Sequence, residues 1–327
     1  MNRRDCLRMA LGLGGALAMP ASGQTVQWGE RALNGFGTSL WLRVGHEDER
    51  RVELGLDTAV QTIRHVERQM SLFDVRSALC QLNREGVLRH ADRDLLFVLR
   101  LSRRIAAHSA GAFDFTIQPL WNVWAAAQRE GRLPDATEVR DARSLVGWQR
   151  VAIGEKDIAL NHPGMAISLN GIAQGYAADL VRARLQAQGI EHALLDTGEW
   201  APMGHGPQGA PWALALEGVP SQLLTLVSDG RAMATSSDAH SAFSADRRHH
   251  HILDPRTGYS PTSWASVTVA APSCALADGL TKVIFMQSAS SAVVIARQWG
   301  VDVLLIDKAG RWQASSGMPL RSAPTAA

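Results

Sequence analysis

Apolar positions along this chain recur with two different periods, and together they predict helices and strands in mixed order. Leu56, Val60, Ile63, Val66 and Met70 follow one another at spacings of three and four, the pattern of a helix with one buried face. Residues 92–109 repeat it through Leu95, Val98, Leu99 and Ile105, with Gly111 as the stop. Residues 174–188 place Ala177, Leu180, Val181 and Leu185 on one side and end at Gly189. Residues 275–286 and 290–299 also read as helices. Runs at 38–44, 193–195, 212–216, 223–227, 266–271 and 301–306 read as strands, and 151–160 as a hairpin turning at Gly154 to Asp157. No regular strand–helix–strand rhythm emerges, so the expected class is α+β, with mixed or antiparallel sheets and packed helices.

The first two dozen residues follow another rule. Arg3, Arg4 and Arg8 precede an apolar run over residues 9–19, too short for a bilayer and matched to a signal-peptide core. The Arg3-Arg4 pair followed by Leu7 is similar to a twin-arginine export signal. Residues 1–23 are therefore expected to be a signal peptide, cleaved before Gln24. Residues 24–327 would then form one periplasmic domain, or two intimately packed subdomains. No later run reaches the length of a membrane span, so no stable membrane anchor is expected.

Composition narrows the classes further. Apolar residues make up 46% of the 327 and charged residues 20%, which excludes a disordered chain. The balance of 33 basic against 31 acidic residues leaves no surplus charge for a general nucleic-acid binder. Within that total only Lys156, Lys282 and Lys308 are lysines; the other basic residues are arginines. After signal cleavage two cysteines remain, Cys80 and Cys274, too few for a disulfide framework or a zinc site and expected to be buried and unpaired. Phosphate-loop, zinc-protease and nucleophile-elbow motifs are absent. The His249-His250-His251 run reads as a surface loop, with the last histidine set apart by the turn that follows it.

Several segments in order resemble one family. Met70-Ser71-Leu72-Phe73-Asp74, with Ser77-Ala78-Leu79 and Leu82-Asn83, looks like the opening signature of the ApbE-type FAD:protein FMN transferases. Gly111 to Thr116 (GAFDFT), Pro119-Leu120 and Trp124 match the next, and residues 134–147 fit the family's following helix. Leu169 to Asp179 (LNGIAQGYAAD), Ala234-Thr235-Ser236, His251 to Gly258 (HILDPRTG) and Ala277-Asp278-Gly279-Leu280 complete the series. The resemblance spans roughly residues 33 to 307.

This resemblance implies a periplasmic enzyme that splits FAD at its pyrophosphate. FMN passes to a threonine or serine hydroxyl of an acceptor flavoprotein, and AMP is released. It implies His251 as the catalytic base, and Phe73, Ala112, Phe113, Asp114 and Gln174 at the flavin nucleotide. It also implies a magnesium ion held by Gly171, Asp278 and Thr281. The residue types suit the chemistry: a carboxylate holds a hard cation, a helix N-terminus faces phosphate, and a neutral imidazole takes the hydroxyl proton. Asp254 reads as the cap of its turn.

This chain also departs from the pattern. Ser168 stands where the family has aspartate, and Asn170 where it has serine. Lys282 stands four residues after Asp278, where the family places a metal-binding threonine, with Thr281 beside it. Helical spacing puts Lys282 and Asp278 on one face. At ~4 Å from Mg²⁺, an ammonium would repel the ion by about 8 kcal/mol at an effective dielectric near 20. Three arrangements follow. Lys282 reaches the FAD pyrophosphate, or it pairs with Asp278 and leaves a silent FAD-binding protein, or it turns outward while Thr281 supplies an oxygen to the metal.

Overall fold

The chain first reverses at Phe36 and Gly37, both at positive φ (51° and 75°). Such a two-residue turn matches the right-handed twist of the strands it joins. It pairs β1 (Gln27–Gly35) with β2 (Thr38–His46) along their whole length, Gln27 opposite His46 and Gly35 opposite Thr38. The structure is a computed structural model that describes residues 25–216, 224–239 and 241–322. The signal-peptide reading of residues 1–23 lies outside the described residues, as does Leu223 of the strand expected at 223–227.

Beyond the hairpin come α1 (Glu49–Met70), α2 (Ala78–Glu85), β3 (Val87–Leu88), α3 (Arg93–His108), α4 (Gln118–Arg129) and α5 (Ala136–Ser144). Then follow β4 (Val151–Ile153), β5 (Ile158–Leu160), α6 (Ala173–Ala187), β6 (His192–Asp196), β7 (Trp200–Met203), β8 (Ala213–Ala215), β9 (Leu224–Val227) and β10 (Ala232–Ser237). The chain ends with β11 (Trp264–Ala271), α7 (Cys274–Phe285), α8 (Ala289–Trp299), β12 (Asp302–Asp307), β13 (Trp312–Ala314) and β14 (Leu320–Ser322). Short polar side chains begin the helices: Asp48, Ser77, Asp92, Asp135, Ser273 and Ser288 each accept a backbone N–H of the first turn.

An eight-stranded sheet in the order β1-β2-β6-β7-β10-β11-β12-β13 organises the fold. Every pairing in it is antiparallel, which settles the mixed-or-antiparallel expectation. Its strands β6, β11 and β12 are buried on both faces, and this explains their continuous apolar runs. Ala193, Leu195, Val267, Val269, Val303 and Leu305 point into the core shared with α1, α3, α6 and α7. Leu194, Ala270 and Leu304, from the same strands, point the other way onto Trp212, Leu214 and Leu226 of the small sheet β14-β9-β8. A third sheet, β3-β5-β4, contains the predicted hairpin, and α4 packs with α5 around Leu120, Trp124 and Val139.

Candidate active site

The family-like segments are far apart in sequence, and side-chain hydrogen bonds fasten them together. The Asn83 amide donates to the carbonyl of Ile167 (2.9 Å) and accepts from its N–H (2.7 Å), tying the first segment to the chain just before the LNGIAQG stretch. Ser168 N–H then donates to Phe115 of the second segment (2.8 Å). Trp124 Nε1 donates to the Gly258 carbonyl (2.9 Å) and its ring stacks on His249, with centroids 4.9 Å apart. Asp179, which closes the LNGIAQGYAAD segment on α6, caps α7. Its carboxylate accepts from the N–H groups of Cys274 (2.8 Å) and Ala275 (2.9 Å) and from Ser273 Oγ (2.7 Å). A carboxylate there also meets the positive end of the α7 dipole.

With α6 and α7 locked together, Gly171, Gln174, Asp278, Thr281 and Lys282 gather at the N-terminus of α6. Asp278 is fully buried. One of its carboxylate oxygens accepts from Gly175 N–H on α6 (3.3 Å), and the other accepts from Lys282 Nζ. The same ammonium donates to the Asp278 carbonyl (3.2 Å). Thr281 Oγ1 donates its single proton to that carbonyl (2.6 Å), so Ser236 of β10 is the donor in its 2.7 Å bond to Thr281. The Gln174 amide donates to the Thr197 carbonyl (2.9 Å), and Thr197 Oγ1 donates back to the Gln174 carbonyl (2.9 Å), which fastens the β6–β7 turn to α6.

Lys282 also fills the space in front of Gly171. A Cβ built on that glycine would stand 3.0 Å from Lys282 Cε and 3.4 Å from Cδ, so a side chain here would crowd the lysine stem lying across the backbone. The arrangement with an outward-turned Lys282 and a Thr281 metal ligand is therefore corrected: the lysine turns onto Asp278, and the Thr281 hydroxyl is committed to Asp278 and Ser236. Gly171, Asp278 and Thr281 do come together as expected, but with a cation already on the carboxylate they do not fit a divalent ion.

The other expected residues are placed by other contacts. Phe73 is 64% exposed, which rules out a role as core filler. Its ring lies over Gly37, where a Cβ would come within 2.8 Å of it. Ala112 and Phe113 are buried, with Phe113 in the main core. Asp114 lines a shallow cavity of about 320 Å³ with Gly111, Trp148, Pro255 and Arg256. Its carboxylate accepts from Thr116 N–H (2.8 Å), Thr116 Oγ1 (2.7 Å) and Trp148 N–H (3.1 Å). Burial outweighs those bonds and pushes its pKa above the usual carboxylate range.

His251 lies between β10 and β11, with Nδ1 3.2 Å from the Ser241 carbonyl. A carbonyl only accepts, so the neutral ring carries its proton on Nδ1 and keeps Nε2 as the basic nitrogen. Asp254 caps its turn as expected, accepting from Arg256 N–H (2.9 Å) and its guanidinium. The neighbouring His250 is a correction to the surface-loop reading. It is fully buried, it sits 5.7 Å from the Phe285 ring, and Nε2 lies 2.9 Å from the Pro261 carbonyl. Burial lowers its basicity.

Cys80 and Cys274 are unpaired as expected, although Cys80 is only half-buried. Burial raises the Cys274 thiol well above its ordinary value. His65, Asp92 and Asp94 lie at metal-ligand spacing. Their contacts are those of a helix junction: His65 Nε2 meets Asp94 (2.9 Å), Tyr176 donates to Asp94 (2.8 Å), and Asp92 caps α3. Sequence reasoning did not single out Asn83, Asp179, Thr197 or Ser236 for their roles here. Asn83, Asp179 and Ser236 lie in recognised segments, but their partners are 84, 95 and 45 residues away.

The family model described as the ApbE family matches residues 36–305. A Vibrio cholerae FAD:protein FMN transferase is 29% identical over 276 residues, covering 81% of each chain. One from Klebsiella pneumoniae is 28% identical over 310 residues, 90% of this chain and 87% of its own. Among solved structures, a histidine-to-glycine mutant of the Vibrio cholerae flavin transferase ApbE superposes with a TM-score of 0.78 at 27% identity, covering 89% of this chain and 98% of that one. The Thermotoga maritima ApbE protein, at 24% identity and a TM-score of 0.79, shares the fold over 89% of this chain and 97% of its own. The chain belongs to the ApbE family.

Proposed function

We propose that this chain is an FAD:protein FMN transferase that moves FMN from FAD to a threonine or serine hydroxyl of an acceptor flavoprotein and releases AMP. The hydroxyl oxygen attacks the phosphorus on the FMN side of the pyrophosphate. The bond from that phosphorus to the bridging oxygen breaks, and AMP departs with the electron pair. The hydroxyl proton goes to His251 Nε2, which the Nδ1 contact with Ser241 leaves as the acceptor nitrogen. Phe73 offers an exposed aromatic face for the isoalloxazine ring. Lys282, at the N-terminus of α6, offers positive charge to the phosphates.

The observation that carries this reading is the family match over residues 36–305, with relatives of that activity aligned over most of their length. The export-like N-terminus supports a periplasmic enzyme acting on a periplasmic acceptor. No helix of the described residues is long and apolar enough to cross a membrane.

The test is to incubate purified residues 24–327 with FAD and a flavoprotein domain bearing an acceptor threonine. Flavin fluorescence that stays on the acceptor through SDS electrophoresis, with AMP released in equal amount, is the expected result. Stoichiometric FAD binding with neither label nor AMP, at any added metal concentration, would replace this reading with that of a silent FAD-binding protein. No FAD binding would overturn both.

A further inference from the structure

We propose that the Lys282 ammonium is the resident cation of the Asp278 centre, standing in place of a divalent metal ion and donating to the pyrophosphate of bound FAD. The proposal rests on the FAD reading above and adds to it the nature of the charge that meets the phosphates.

Three observations converge on it. First, Lys282 Nζ is bonded to both oxygen types that Asp278 offers, one carboxylate oxygen and the main-chain carbonyl (3.2 Å). Those are the hard oxygens that a cation at this point would use. Second, the remaining donors are committed or covered. The other Asp278 oxygen accepts from Gly175 N–H, Thr281 Oγ1 is bonded to Asp278 and Ser236, and Gly171 lies beneath the Lys282 methylenes. Third, the ammonium is not sealed in. The Lys282 side chain keeps 23% of its surface exposed, whereas that of Asp278 keeps 1%. An ammonium has three N–H donors, and among the described residues Lys282 has two acceptors, both on Asp278.

The third donor therefore remains for a ligand, on the side where α6 begins. That helix begins beside it, where the Gly175 N–H is held by Asp278 and the Ala173 N–H by the Leu169 carbonyl. A fixed monocation anchored on a buried carboxylate needs no metal to be recruited. It gives the phosphate oxygens a charge-assisted hydrogen bond that is oriented before FAD arrives.

The test measures cation binding, FAD binding and transfer separately. Mn²⁺ binding to residues 24–327 is followed by electron paramagnetic resonance, for the native chain and for Lys282→Thr. Folding of each variant is checked by circular dichroism, and Lys282→Met, close in length and uncharged, serves as the second variant. The native chain should show no saturable Mn²⁺ site, and Lys282→Thr should bind Mn²⁺ at least tenfold more tightly. FAD affinity in EDTA should be unchanged in the native chain and fall roughly 10- to 100-fold in Lys282→Met, the range for loss of one hydrogen bond to a charged group. Native transfer should continue in EDTA.

Saturable Mn²⁺ binding by the native chain, unaltered in Lys282→Thr, would overturn the proposal. So would an FAD affinity indifferent to both substitutions. If Lys282 excludes Mn²⁺ and supports FAD binding while no acceptor is ever labelled, the transferase reading fails and the assignment of the resident cation stands.

Discussion

The Asp179 cap is a sharp test of how this fold builds its site, because one side chain on α6 fixes the start of α7. In Asp179→Ala, the N–H groups of Cys274 and Ala275 and the Ser273 hydroxyl lose their shared acceptor. Arg182, 3.0 Å from the carboxylate, loses its partner on the same helix. A cap alone contributes about 1 kcal/mol. Hydrogen bonds to a charged group contribute about 1.5–3 kcal/mol each, but water reaches the half-buried site and repairs part of the loss. Together these give a destabilisation of about 3 kcal/mol, or roughly 5 °C in melting temperature for a domain of about 300 residues.

Asp179→Asn keeps one acceptor oxygen and should lose about half as much. The assay is urea unfolding of residues 24–327, with an unchanged m-value required so that the midpoint shift reports stability. Because α7 carries both Asp278 and Lys282, FAD affinity should fall with stability in Asp179→Ala. A loss below about 0.5 kcal/mol, the range of an ordinary surface substitution, would show that the cap does not hold α7 in place.

Phe73→Ala should change stability by less than about 0.5 kcal/mol because the ring is exposed, yet it should weaken FAD binding about tenfold, read by quenching of flavin fluorescence. His251→Ala should lower the transfer rate by about 10²- to 10⁴-fold with FAD affinity retained, which single-turnover labelling separates from binding. Lys308→Met should destabilise by about 2–3 kcal/mol in thermal or urea unfolding, because it strips the lysine partner from the buried Asp238 carboxylate and leaves, among the described residues, Arg247 at 3.9 Å as its cation.

His250 makes stability fall as pH drops. Its folded pKa lies below the ordinary 6.5 because burial disfavours the charged ring. Above 6.5 neither state is protonated and the group contributes nothing to the pH dependence. Below it the unfolded chain takes up a proton that the folded site resists, which favours unfolding. Urea midpoints at about pH 7 and about pH 5 should therefore differ less in His250→Gln than in the native chain. Equal differences would refute the assignment.

What could be read in the sequence divides along physical lines. α1, α3, α6 and α7 carry dense apolar faces, and β6, β11 and β12 carry continuous apolar runs, so period and length identify them. β1 (QWGERALNG) was not legible because its residues are mostly half-buried and its composition suits neither pattern. β10 (AMATSS) is buried but built from small side chains that give little apolar signal. β7 contains Pro202, which argues against a central strand. The structure accommodates it because β7 meets β10 only at Trp200 opposite Met233, so no ladder there requires an N–H from Pro202. The expected helix over 134–147 shrinks to Ala136–Ser144, since the Asp135–Glu138 capping box sets its start.

The site divides in the same way, by the distance over which each contact acts. Asp278 and Lys282 are one helical turn apart, so their pairing follows from spacing alone. Asp179 with α7, and Asn83 with Ile167, join positions more than eighty residues apart, and nothing local marks them. The histidine run reads as a surface loop, whereas Phe285 and Pro261 give one ring of the three a buried, hydrogen-bonded seat and Ser260 holds its main chain. The lysines tie these threads together. In a chain whose other cations are arginines, two of three lysines sit against aspartates that are themselves buried, Lys282 on Asp278 and Lys308 on Asp238. An ammonium is a compact point charge, able to sit on a carboxylate oxygen and a carbonyl of the same residue, where the planar fork of a guanidinium needs a flat, two-sided partner. Lysine is thus the side chain that can act here as an ion on a tether, and Asp278, one turn away on α7, is where the backbone lets it do so.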